Sequence, residues 1–355
     1  MSSSPLLRSR LHSRVLLRFR YGAYLSREQL AELVSPNQET LDLVRSWLIH
    51  HGIRPSSIST SHDGSWLTVT DVIVSQANQL MGASYQLFRN LKTNETIIRT
   101  VGYALPAILH THIRTVAPTT HFPSSRGMRQ TLHNHSFGGA PASGKVVTTR
   151  QLPGVTPSFL RWLYKTDTYR TLPPYLSKIG VLGIYDDYPS PSDLTQFMAN
   201  YRSDGINAKF SVKKLNGGRY NPNDPFDIAS VDIQYPSAIA YPTPLTFYSV
   251  GGDMEWDHNS ERPIAGDMYS EWLNKLGREL SPPKTISIGF GETEWDLPRA
   301  YADALCDLFA GLGSRGITVL AASGIVGVGS GDCINPNRLR RFVPEFPSSC
   351  TCDVS

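Results

Sequence analysis

The sequence predicts an α/β protein, a mainly parallel sheet with helices on both faces, preceded by a smaller α+β unit. Three observations carry this. Residues 285–333 read as a strand, a helix and a second strand ending in a glycine-rich turn, a βαβ unit. From Val155 onward, apolar runs of strand length alternate with amphipathic stretches; residues 178–185, KIGVLGIY, have the unbroken hydrophobicity of a strand buried on both faces. The first 122 residues differ, with short period-2 strands set among capped helices.

Taken in order, residues 1–20 hold Arg8, Arg10, Arg14, Arg18 and Arg20 with several serines and no acid, the composition of an organellar transit peptide. Apolar pieces such as Val15-Leu16-Leu17 are too short for a secretory leader, and a truncated or misannotated start is the favoured reading of the segment. Ser26-Arg27-Glu28-Gln29 forms a capping box with Leu25 and Leu30 as a hydrophobic staple, opening a helix that Ser35-Pro36 ends. Ser35 is expected to cap a second helix carrying Leu41, Val44, Leu48 and Ile49 on one face and stopping at Gly52. A strand follows at 65–69, a helix over 72–80, and strands around 85–91 and 96–101. Helices on one face of a small antiparallel sheet are the expected product. Residues 123–150, rich in Ser, Gly, Pro, Thr and basic residues, read as a linker.

Beyond the strand at 178–185, residues 192–201 form an amphipathic helix and 210–215 a strand ended by Asn216-Gly217-Gly218. Helix and strand recur at 228–240 and 245–250. In the βαβ unit, Tyr301, Leu305, Leu308, Phe309 and Leu312 make one helix face, Gly313 is expected to follow the C-cap, and 317–322 is the closing strand.

The 355 residues, 40% hydrophobic and 18% charged, leave room for two globular domains. Lys and Arg total 34 against 30 acidic residues, a balance of +4 with no basic stripe among aromatics, so nucleic acid is not an expected partner. No apolar run approaches the roughly 20 residues that a membrane span needs. The cysteines, 306, 333, 350 and 352, give the first 300 residues no disulfide framework, and Cys350-Thr351-Cys352 is too tight for a zinc half-site. They read as one or two disulfides, or as thiols with partners elsewhere. His110 with His112 and His133 with His135 have His-x-His spacing but no third ligand nearby in sequence, so no metal is expected. Asn94-Glu95-Thr96 and Asn134-His135-Ser136 match glycosylation acceptors, relevant only to a secreted chain.

The wording of residues 285–333, TISIGFGETEWDLPRAYADALCDLFAGLGSRGITVLAASGIVGVGSGDC, and of Thr-Pro-Leu-Thr-Phe-Tyr-Ser-x-Gly-Gly at 243–252 closely resembles the sedolisins, or serine-carboxyl peptidases, and among them fungal tripeptidyl-peptidases. Tyr21-Gly22-Ala23-Tyr24-Leu25-Ser26, Tyr103-Ala104-Leu105-Pro106 and Pro118-Thr119-Thr120-His121-Phe122 resemble motifs of that family's activation propeptide. The resemblance spans roughly residues 21–350. It implies a propeptide domain over 21–122, maturation cleavage within the 123–150 linker, and part of a subtilisin-like peptidase domain over 151–355. It further implies peptide or protein substrates and an extracellular location. The family's calcium loop falls beyond Ser355, so no cofactor is expected in this chain.

Such a peptidase needs a serine nucleophile, a glutamate base, an aspartate that orients the glutamate and an oxyanion-stabilising aspartate, a set suited to acid pH. In the family the glutamate and orienting aspartate sit four apart on one helix, so both project from one face. Here that stretch is Ile228-Ala229-Ser230-Val231-Asp232-Ile233-Gln234-Tyr235: Asp232 is kept and Ile228 stands at the base position. The oxyanion position is Ile325, which offers no hydrogen bond to a developing oxyanion. The serine motif lies beyond the segment matching residues 341–350. Asp227 is one residue from the base position, about 100° around the helix. Asp232 has a structural reading too, as an acid in the first helical turn favoured by the dipole. Gly289-Phe290-Gly291 matches the strand that pairs with substrate backbone, and reads equally as a strand ending in a turn. The resemblance thus implies a peptidase homologue that is catalytically silent; an incomplete copy of an active secreted acid peptidase and a non-catalytic peptide- or peptidase-binding protein are the alternatives.

Overall fold

The structure, a computed structural model, describes residues 22–91, 96–122, 155–171, 177–184, 187–225, 227–252, 267–324 and 342–350. The basic segment 1–20, the linker 123–150 and the asparagines of both glycosylation triplets lie outside these residues, as do Ile325, Cys333 and Cys352.

The capping box forms: Ser26 Oγ accepts from the Gln29 amide and Gln29 Oε1 from the Ser26 amide at 2.9 Å, opening α1 (Arg27–Val34). The second helix, α2 (Gln38–His50), is capped by Asn37 rather than Ser35. Asn37 Oδ1 accepts from the Thr40 amide at 2.9 Å, whereas the Ser35 hydroxyl is already committed to the Ala31 carbonyl at 2.7 Å, at the end of α1. Strands β1 (Ile58–Thr60) and β2 (Leu67–Val69) pair antiparallel; α3 (Val74–Met81) follows, and β3 (Gln86–Arg89) pairs with β4 (Thr96–Arg99). These are two separate two-stranded ribbons, not the single sheet expected, because each closes through its own local connection. A small core of Val44, Leu48, Ile53, Ile58 and Leu109 holds the β1–β2 ribbon to α2.

The second part runs α4 (Pro157–Leu163), β5 (Ile179–Gly183), α5 (Pro191–Tyr201), β6 (Phe210–Leu215), α6 (Asp227–Ile239), β7 (Leu245–Val250) and α7 (Met268–Arg278). It continues through β8 (Thr285–Ile288), β9 (Glu292–Thr293), α8 (Arg299–Ser314), β10 (Thr318–Ala321) and β11 (Glu345–Phe346). Five strands form one sheet in the order β10–β8–β5–β7–β6, every pair parallel. Alternation along the strands explains the two covered faces. Leu182, Tyr248, Ile286 and Ile288 join Trp272, Tyr301, Leu305 and Phe309 in the larger core. Val181, Leu245 and Phe247 join Leu194, Met198, Ala229 and Ile233 in the other. The α/β architecture expected from the sequence is the one observed.

Helix α8 ends differently from expectation. Gly313 lies within its last turn, and Gly316, with φ +72°, is the left-handed residue beyond the Arg315 cap. The Tyr24 ring packs so closely on Gly316 that a Cβ there would overlap it. Here the amino-terminal residues meet the sheet, and other contacts extend the seam. The Leu25 amide donates to the Ser314 carbonyl at 2.9 Å, Arg278 Nη2 to the Thr60 carbonyl at 3.1 Å, and Thr68 Oγ1 to Glu271 Oε1 at 3.2 Å. Arg114 pairs with Asp307 at 2.6 Å, and Trp66 and Ala117 pack on the larger core.

Cys306 in α8 is bonded to Cys350, 44 residues on, which settles the pairing of two of the four cysteines. The bond holds α8 to the segment carrying Phe346, itself in the larger core. Replacing both cysteines by alanine is expected to lower stability by about 2–4 kcal/mol. Urea denaturation would measure it, and a loss below about 0.5 kcal/mol would mean that packing alone holds residues 342–350. Among the described residues no helix is long and apolar enough to cross a membrane.

Candidate functional site

Helix α6 brings Asp232 to the ends of β5 and β8. Gly289 follows the last residue of β8, and a Cβ built on it would overlap the Asp232 carboxyl, so the missing side chain is what lets the acid approach the strand end. The Asp232 Oδ2 atom is buried without a hydrogen-bond partner. Burial first, and the negative charge of Asp187 second, push the Asp232 carboxyl up from 3.8 to about 7. Asp187, just past the end of β5, is itself only 2% exposed. The reading of Asp232 as a first-turn acid does not hold: α6 begins at Asp227, so Asp232 lies more than one turn inside, and its carboxyl faces Gly289.

One turn before Asp232, Ile228 is 4% exposed and belongs to the larger core with Leu182, Ile184, Tyr248 and Val250. At that exposure, within an apolar core, the position is closed to solvent. Asp227 opens the helix, but its side chain lies outside what the structure describes. Gly289-Phe290-Gly291 does not continue β8, which stops at Ile288; it links β8 to β9, with Phe290 buried in the larger core. Of the residues singled out from sequence, Asp232 and Gly289 are brought into contact and Ile228 lies one helical turn away. Ile325 lies just past the last described residue of its turn, Gly324.

Two features were not found from sequence. Asp187 follows β5 in a stretch whose chemistry only the fold reveals. His121, noted only within a propeptide-like motif, pairs through Nε2 with Glu292 Oε2 at 2.9 Å, both side chains buried. Among the described residues no group of three His, Cys, Asp or Glu side chains could hold a metal ion. His110 instead contacts the Leu105 carbonyl through Nε2 at 2.9 Å, and His112 Nδ1 the Thr40 hydroxyl at 2.8 Å. Chemically, the site offers an acid that holds its proton to near-neutral pH, with an aliphatic side chain one turn before it.

Residues 18–122 match the family model described as the pro-kumamolisin activation domain. The chain is 32% identical over 345 residues to the probable tripeptidyl-peptidase SED3 of Trichophyton verrucosum, covering 93% of this chain and 56% of that protein. It is 32% identical over 346 residues, again 93% and 56%, to tripeptidyl-peptidase SED3 of Arthroderma otae. The chain therefore spans little more than half the length of these relatives. A Pseudomonas sedolisin solved with two molecules of pseudo-iodotyrostatin aligns with a TM-score of 0.37 at 18% identity, over 56% of this chain and 51% of its own. The activation-domain match at its amino end and the alignment over 93% of its length make the chain a homologue of the fungal tripeptidyl-peptidases.

Proposed function

We propose that the chain is a tripeptidyl-peptidase-like homologue that binds peptide or protein segments and does not hydrolyse them. The observation supporting this is the burial of Ile228 one turn before Asp232, where the family's chemistry requires a base. A carboxylate at 228 would take the nucleophile's proton and be steadied by Asp232; an isoleucine can do neither. Asp232, with the buried Asp187 near it, is left able to hold a proton but without the carboxylate at 228 that would exchange it with a nucleophile. Ile325 removes a second element, since losing one oxyanion donor alone costs roughly 2.7–4 kcal/mol of transition-state stabilisation. Residues 21–122 act in this reading as an activation-type domain and 123–150 as the cleavable linker. The reading assigns the chain no cofactor and an extracellular location, which the Cys306–Cys350 disulfide supports, because such bonds persist in oxidising compartments.

The purified chain is expected to show no turnover of peptide substrates anywhere between about pH 3 and 8, while peptides bind with measurable affinity. Turnover that disappears on Asp232→Ala would overturn the proposal. The packing of residues 22–122 on α7 and α8 favours one further reading, that the amino-terminal unit engages a related peptidase. Binding to such an enzyme without cleavage would select that reading.

A further inference from the structure

We propose that the outer edge of β6 is a docking site for an extended acidic segment of another protein, taken up as a further strand of the sheet. This goes beyond the proposed function, which rests on the strand ends at Asp232, and either can fail without the other. Strand β6 closes the order β10–β8–β5–β7–β6, and among the described residues it pairs with β7 alone. Backbone groups alternate in direction along a parallel ladder. The Leu215 carbonyl accepts from the Gly251 amide, just past β7, at 3.1 Å, so residues 211, 213 and 215 turn their amides and carbonyls inward to β7. Those of Val212 and Lys214 therefore turn outward, and among the described residues no backbone group pairs with them.

The side chains beside this edge make it selective. Phe210 and Val212 pack against the smaller core, and next to them a cavity of about 440 Å³ opens between α5 and the approach to β6. Leu194, Ile206, Ala208 and Phe210 give it an apolar lining, with the exposed Lys209 beside them. Lys214 is exposed on the same strand face as Phe210 and Val212. Among the described residues neither lysine has an ion-pair partner, whereas Lys213, on the opposite face, is held by Glu279 Oε1 at 2.8 Å.

The chemistry of the occupant follows from these features. Two cations without counter-charges beside an open backbone edge repel the same edge of a second copy and attract carboxylates. In strand addition the main chain supplies the hydrogen bonds and pockets beside the edge select the side chains. The segment that fits is therefore a short extended one in which acidic residues flank an aliphatic one. Its backbone meets the outward groups of Val212 and Lys214, its aliphatic side chain enters the cavity, and its carboxylates reach Lys209 and Lys214.

The probe is the capped, fluorophore-labelled peptide Glu-Glu-Val-Leu-Val-Glu-Glu, titrated against the full chain by fluorescence anisotropy, with the same peptide carrying lysine for every glutamate as control. The glutamate peptide is expected to bind, the lysine peptide about tenfold more weakly, and added salt should narrow the difference. Residue-resolved hydrogen exchange should show the Val212 and Lys214 amides slowed by the glutamate peptide, while those of Ser211 and Lys213, already turned to β7, are unchanged. Lys214→Pro removes an outward amide and spares the ladder to β7, so it should weaken binding about tenfold. Lys209→Glu combined with Lys214→Glu should turn the preference to the lysine peptide, and it decides the matter if the proline variant does not fold. No binding of the glutamate peptide at about 1 mM, equal binding of both peptides, or binding that leaves Val212 and Lys214 exchange unaltered would overturn the proposal. A folded Lys214→Pro protein with full affinity, or a charge variant that keeps the parent preference, would overturn it as well.

Discussion

Asp232→Asn is expected to raise stability at pH 8 and to flatten the dependence of stability on pH between about 4 and 7. The carboxyl ionises near 3.8 in the unfolded chain and near 7 when folded, so between these values the folded state holds more protons. Stability therefore falls as pH rises. The contribution is present in full below 3.8, is lost progressively up to about 7, and changes no further above that. Roughly three units of displacement correspond to about 4 kcal/mol. Asparagine keeps the shape and the buried polar atoms and removes only the ionisation, so it should recover much of that loss. Urea denaturation of both proteins at pH 4 and pH 8 would check it. A parent protein that gains stability from pH 4 to 7 would show instead that the carboxylate is charged and well partnered. The residue common to this chain and the sedolisin pattern is on this argument one that weakens the fold at neutral pH. Buried acids with displaced titration cluster at functional sites.

The parts legible in the sequence are those whose signal is local. Strands β6 and β7 fall where they were expected, Phe210–Leu215 and Leu245–Val250, because buried parallel strands are apolar runs bounded by turn residues, here Asn216-Gly217-Gly218 and the Tyr241-Pro242 and Thr243-Pro244 steps. Helix α7 was overlooked although Met268, Tyr269, Trp272, Leu273 and Leu276 form its buried stripe, so periodicity could have found it. The β9–β11 ribbon could not be found this way: each strand has two residues, and the pairing joins segments about fifty residues apart. Asp232 and Ile228 were identified through wording shared with a family, and their spacing on one helix face follows from helical geometry. What surrounds them was not legible. The Gly289 contact with Asp232, the charge of Asp187 and the His121–Glu292 pair, 171 residues apart in sequence, all depend on how distant strand ends converge.

Ile228→Glu is expected to lower stability by about 3–5 kcal/mol at pH 8 and by clearly less at pH 4. The substitution removes a side chain packed in the larger core and places a carboxyl within that apolar cluster. Four residues on, Asp232 projects from the same helix face, and two carboxyls at that spacing hinder each other's ionisation. At pH 4 both can hold protons, so the loss comes chiefly from packing and from a polar group in an apolar place. At pH 8 the pair must ionise against burial and against each other, which adds to it. The two positions should therefore couple: in an Asp232→Asn background the same substitution should cost less at pH 8, by more than the few tenths of a kcal/mol seen for independent sites. Denaturation of the four proteins of this cycle at both pH values measures the coupling. A glutamate tolerated within about 1 kcal/mol at pH 8 would place the 228 side chain in an open, hydrated cleft, and would remove the support that its burial gives to the non-catalytic reading. With position 228 dry, as here, one substitution is not expected to create a working base, because the group would stay protonated or unfold its surroundings before it could accept a proton.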